Sequence, residues 1–178
     1  KHPGVARILT AKDVPQNLYT ILILIQVGPE DEHVLAQDKV RWRGEAVVAV
    51  LAETERAAQE AAAKVKVEYE VLEPVLSIED ALKPDAPIVN EHHGRNHYLY
   101  DSGECRKIRF GDVEEGFAAA DHILEETYQS SPIEHAPVET TGCIVVPEAN
   151  GRFTCYTNTQ AMFFTLDNTS IILQMPGH

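Results

Sequence analysis

Hydrophobic and polar positions alternate most clearly between residues 40 and 71. Residues 40–43 and 46–52 read as two strands parted by Gly44, the second almost wholly apolar and so expected at the centre of a sheet. Thr54 follows as a capping hydroxyl. Residues 55–64, rich in Ala, Glu and Gln, then predict a helix. Val65, Val67, Tyr69 and Val71 alternate with Lys66, Glu68 and Glu70, the pattern of a strand with one buried and one wet face. Strand, helix and strand in this order predict a small layered sheet-and-helix unit, in which these residues act as scaffold.

Beyond Pro74 the pattern weakens. Ser77 and Asp80 make a capping box for a short helix ending near Lys83-Pro84. Residues 85–110 are polar, carry Pro87, Gly94 and Gly103, and show little periodicity, so they read as a connection. A second region starts at Gly111, where Asp112 and Glu115 open a helix running to about Ala120. Residues 122–129 look extended. Residues 143–146 and 153–156 flank Asn150-Gly151, a strong hairpin signal. After Gln160 the spacing of Phe163, Leu166, Thr169, Ile172 and Leu173 is helical until Pro176. The expected class is α+β, divided into 1–84, a linker at 85–110, and 111–178.

Charge removes whole classes of function. Among the 178 residues, 28 are acidic and 15 basic, a net charge of −13, and no basic cluster offsets it. A phosphate backbone is repelled by such a surface, so nucleic-acid binding is not expected. The longest apolar run, Ile21 to Ile25, is far short of the roughly 20 residues a membrane helix needs. Three cysteines (Cys105, Cys143 and Cys155) are too few for a disulfide scaffold and lack metal-ligand spacing, which suits a reducing, cytoplasmic compartment. The opening Lys1-His2-Pro3-Gly4 has neither an initiator Met nor a signal-peptide core and reads as cut from a longer protein.

Four groupings could carry chemistry. His92, His93 and His97 include a helical metal-ligand spacing, but Gly94 and Asn96 interrupt any helix there, which favours solvated loop histidines. In a hairpin with a two- or four-residue loop, Val146 or Ile144 stands opposite Cys155. Cys143 then faces away from Cys155, and both read as ordinary buried or half-buried thiols. Glu134, His135 and Glu139 form an acid–base cluster, more often a structural than a proton-transferring arrangement. Gln160 ends a strand just before a helix, where its amide can hydrogen-bond a ligand oxygen. The preceding Thr157-Asn158-Thr159 could equally serve only to start that helix.

Longer stretches carry a resemblance. HPGVARILTAKDVP and VLAQDKVRWRGEAVVAVLAETERAAQEAAAKVKVEYEVLEPVLSIEDAL resemble the α/β hammerhead domain of the molybdenum hydroxylases, the family of xanthine dehydrogenase and aldehyde oxidase. GDVEEGFAAADHILEETYQSSPIEHAPVETTGCIVVP resembles the start of the first molybdopterin-binding domain that follows it. The resemblance runs from His2 to about Gln160, with residues 18–27 and 92–107 departing from the family pattern. It implies that Gln160, closing Thr157-Asn158-Thr159-Gln160, hydrogen-bonds an oxygen ligand of a molybdenum–molybdopterin cofactor. His135 and Glu139 match the family's His-Ala-x-x-Glu as structural residues near the site.

Several parts that the family uses lie outside this sequence: the glycine-rich molybdopterin segment, the substrate-orienting arginine and the glutamate base. The resemblance therefore implies one portion of the molybdenum-binding subunit of a hydroxylase that acts on an aldehyde or N-heterocycle, with water as oxygen source. Expected partners are the remainder of that subunit, iron–sulfur modules and an FAD module, a small-molecule substrate, and further copies in an oligomer. The isolated chain is not expected to be catalytic. One competing reading is a non-catalytic docking or assembly module for an iron–sulfur partner. Another is a small hydrolase using His92, His93 or His97.

Overall fold

A computed structural model describes residues 3–20, 30–97, 99, 107–108 and 110–177. The Ile21–Ile25 run and Cys105 lie outside them. In chain order the elements are β1 (Val5–Leu9), β2 (Leu18–Tyr19), β3 (Glu32–His33), β4 (Ala49–Ala52), α1 (Glu55–Ala62), α2 (Ile78–Ala81), α3 (Val113–Ala119), β5 (Cys143–Pro147), β6 (Phe153–Thr157) and α4 (Met162–Leu173). They fall into two compact units, one of Lys1–Cys105 with Ala161–His178, the other of Arg106–Gln160.

In the first unit β1 and β4 pair antiparallel, Leu9 opposite Ala49 and Val5 opposite Ala52, with a bulge between Val5 and Arg7. The predicted helix follows at once. Thr54 accepts from the Ala57 amide at 3.2 Å, which satisfies one of the free N–H groups of α1, and α1 packs back on β4 and β1. Leu18 and Tyr19 of β2 pair with His33 and Glu32 of β3. Asn17 extends that ladder with its side chain: Oδ1 accepts from Leu35 N at 3.0 Å and Nδ2 donates to Leu35 O at 2.9 Å. Helix α4 belongs to this unit, and its Ile172 carbonyl accepts from Gln16 N at 3.0 Å. A Cβ on Gly177 would stand 2.7 Å from Ser170 Oγ, so only glycine lets the chain return so close to α4. Buried apolar side chains among the described residues are few, Leu35 and Ala61.

Two predicted strands are not strands here. Residues 42–44 make a turn, with Gly44 at φ +104° and the Trp42 ring 3.0 Å from where a Cβ would lie. The Glu45 carboxylate accepts from Arg41 N at 2.6 Å, so a side chain takes the hydrogen bond a sheet neighbour would supply. Residues 65–71 join no ladder among the described residues, and Tyr69 and Val71 are exposed. Alternation orients side chains, but a strand also needs an edge to pair with. β4, expected at a sheet centre, pairs among the described residues on one side only, with β1.

The second unit holds α3 and the β5–β6 hairpin. Asp112 caps α3 by accepting from Glu115 N at 3.0 Å. The hairpin pairs Cys143 with Thr157, Val145 with Cys155 and Pro147 with Phe153. Its loop spans residues 148–152, with Asn150 at φ +66° and Gly151 at φ +74°. Of the described residues in this unit, only Phe153 and Thr154 are half-buried; the rest are exposed. Antiparallel pairs and separate helices make the class α+β.

Candidate functional site

Gln160 is carried by the end of β6, three residues past Thr157 and one before Ala161, where α4 begins. Its side chain is exposed and makes no hydrogen bond among the described residues, so an amide donor and an amide acceptor both stand free. Ala161 is the N-cap of α4, without a side-chain bond, and the Asn158 and Thr157 side chains bond instead to the irregular segment that leads into β5. Asn158 Oδ1 accepts from Gly142 N at 3.1 Å, Asn158 Nδ2 donates to Thr140 O at 2.9 Å, and Thr157 Oγ1 donates to Gly142 O at 3.4 Å. Reading Asn158 as a capping residue misses this, because bonds across 16 and 18 positions leave no local pattern.

Glu134, His135 and Glu139 do not gather. They lie along an exposed, extended segment and make no ion pair or hydrogen bond among the described residues. Between them Ala136 adopts φ +47° ahead of Pro137, a left-handed turn that is costly for a residue with a Cβ. Cys143 and Cys155 are both exposed. The register sets Val145 opposite Cys155, one residue from either predicted register, so the two cysteines share a face and sit diagonally across the hairpin.

The histidines separate by role. His93 Nε2 lies 2.7 Å from Asp31 Oδ2, while the His92 ring centroid stands 6.5 Å from that of His33. His97 makes no hydrogen bond, and no group of three metal-binding side chains forms among the described residues. Burial, with Arg41 close by, holds the His33 imidazole below its usual pKa. Lys39 Nζ reaches Glu91 Oε1 at 2.5 Å and Ile88 O at 2.9 Å, and this hydrogen bond keeps the Glu91 carboxyl below the usual range. Arg41 lies between Glu45 and Glu91, at 3.7 and 3.8 Å. These groups fasten residues 88–93 to residues 31–45; they are structural. A depression of about 310 Å³ between α3 and residues 122–124 is lined by Val113, Phe117, Ile123 and Leu124, with His122 as its one polar side chain.

Comparison with known proteins places this geometry. Residues 1–73 match the family model for the aldehyde oxidase and xanthine dehydrogenase a/b hammerhead domain, and residues 91–178 match that for the molybdopterin cofactor-binding domain. The chain belongs to the molybdenum hydroxylase family. Among relatives, a probable xanthine dehydrogenase component from Bacillus subtilis is 42% identical over 161 residues, which is 90% of this chain and 20% of that protein. Mouse aldehyde oxidase 2 is 32% identical over 98% of this chain and 11% of its own length. The crystal structure of the aldehyde oxidoreductase from Desulfovibrio desulfuricans superposes with a TM-score of 0.82 at 26% identity, over 99% of this chain and 19% of that one. This molybdenum hydroxylase chain thus spans about a fifth or less of the relatives described. No helix of the described residues is long and apolar enough to cross a membrane.

Proposed function

We propose that this chain supplies the hammerhead domain (1–84), a connection (85–110) and the opening part of the molybdopterin-binding domain (111–178) of a molybdenum hydroxylase. The complete enzyme oxidises an aldehyde or N-heterocycle with water as oxygen source. Its partners are the remainder of the molybdenum subunit and iron–sulfur and FAD modules, assembled as an oligomer in the cytoplasm. The observation that carries this reading is the uncommitted Gln160 amide, at the strand-to-helix junction inside the region that matches the cofactor-binding domain model.

The residues present fit the cofactor. A free carboxamide donor at a strand end suits an oxygen ligand of molybdenum, whereas a Gln160 already bonded within the chain would not. When bound, the molybdenum cofactor supplies the two-electron oxidation. Gln160 Nε2 would donate a hydrogen bond to it and help orient it, with no proton to exchange, because a carboxamide does not titrate. The hammerhead region contributes scaffold.

Gln160→Ala in the complete enzyme tests this. The expected result is a fall of about ten- to hundredfold in kcat or in molybdenum retained per subunit, with an altered Mo(V) electron paramagnetic resonance (EPR) signal. Unchanged turnover, metal content and spectrum would remove Gln160 from the site.

A further inference from the structure

We infer that Asn158 is a positioning residue for Gln160, an inference that rests on the cofactor-binding reading of Gln160. The β5–β6 ladder ends at Cys143 opposite Thr157. One residue further on, the Asn158 side chain takes over. Its carboxamide accepts from Gly142 N at 3.1 Å and donates to Thr140 O at 2.9 Å, so one side chain bridges two main-chain groups of the segment leading into β5. Thr157 Oγ1 adds a bond to Gly142 O at 3.4 Å.

The arrangement has a specific consequence. Because the Asn158 side chain is bonded to Gly142 and Thr140 just past the last ladder pair, residue 158 is tied to the segment leading into β5. Gln160 is then only two residues from a pinned point, and few backbone torsions separate its amide from the hairpin. A residue holding Thr140 and Gly142 together needs a donor and an acceptor at carboxamide spacing, which Asp, Ser and Ala each lack in part or whole. Asn17 also bonds main chain through both ends of its carboxamide, there to the N–H and C=O of one residue, Leu35. The geometry alone makes a clamp; its place beside Gln160 makes it a positioning one.

The test is a double-mutant cycle in the complete enzyme, with Asn158→Ala, Gln160→Ala and both together. Asn158→Ala is expected to lower kcat between about ten- and hundredfold with KM within about twofold, since misplacing a group by an ångström has effects of that order. It should retain molybdenum, shift the Mo(V) EPR signal in the same direction as Gln160→Ala, and raise amide exchange in the peptide containing Gly142. In the double variant it should add nothing to Gln160→Ala. Asn158→Asp, which keeps the acceptor for Gly142 N, should fall between wild type and Ala and covers the case in which the Ala variant does not fold. Multiplicative losses in the double variant, or faster Gly142 exchange with normal kcat and EPR, would overturn the positioning role alone. A silent Gln160→Ala would bring down both readings.

Discussion

Asparagine side chains bond main chain through both carboxamide ends at two places, Asn17 on Leu35 and Asn158 on Gly142 and Thr140. Asn17 serves Leu35, whose N–H and C=O are buried with their side chain, so Asn17→Ala is expected to destabilise the protein by about 2 kcal/mol in denaturant unfolding. Neither clamp is legible in the sequence, because a carboxamide that bonds across 16 or 18 positions leaves no local pattern. The role proposed for Gln160 rests on the family resemblance; nothing in its own neighbours separates a ligand-binding amide from an idle one. His33 supports a prediction of its own. Burial, then Arg41, depresses its pKa, and His92 acts in the same direction against Glu45 and Asp38. The unfolded chain therefore takes up the proton first as pH falls below about 6.5. Stability from this group is present above that pH and is lost as pH falls toward the folded value. Unfolding of His33→Gln should accordingly depend less on pH between about 7.5 and 5.5 than that of the wild type.

Elements with a local cause are where the sequence reading and the structure agree. Thr54, Ser77 and Asp112 each accept from the amide three residues on, and α1, α2 and α3 begin where those caps predict. Thr54→Ala should cost about 1 kcal/mol. Amide exchange within α1 would then rise about fivefold if α1 opens locally, and no change would show that packing on β4 alone holds the helix. Elements with a distant cause are where the two part. Residues 65–71 have the alternation of a strand and no ladder among the described residues; residues 40–43 have its composition, and Glu45 bends them into a turn. The hairpin was legible from Asn150-Gly151, yet its loop of residues 148–152 shifts the register by one and exchanges the faces of one strand.

At the scale of the whole molecule, the second unit exposes Ile144, Val145, Val146 and Tyr156, and α3 exposes Val113 and Phe117. A hairpin apolar on both faces is built to be covered on both. The isolated chain should therefore bind a hydrophobic dye strongly and exchange its 106–160 amides within seconds. The same peptides in the complete subunit should be protected at least tenfold. Equal exchange in both settings would show that this unit needs no cover. The shared face of Cys143 and Cys155 turns that question into a chemical count. With Cys105 replaced by Ser, the number of maleimides taken up reads two when the hairpin face is open and none when it is shielded. Thiol alkylation against time then becomes a clock for assembly, readable by intact mass on a few micrograms of protein and independent of any cofactor or turnover.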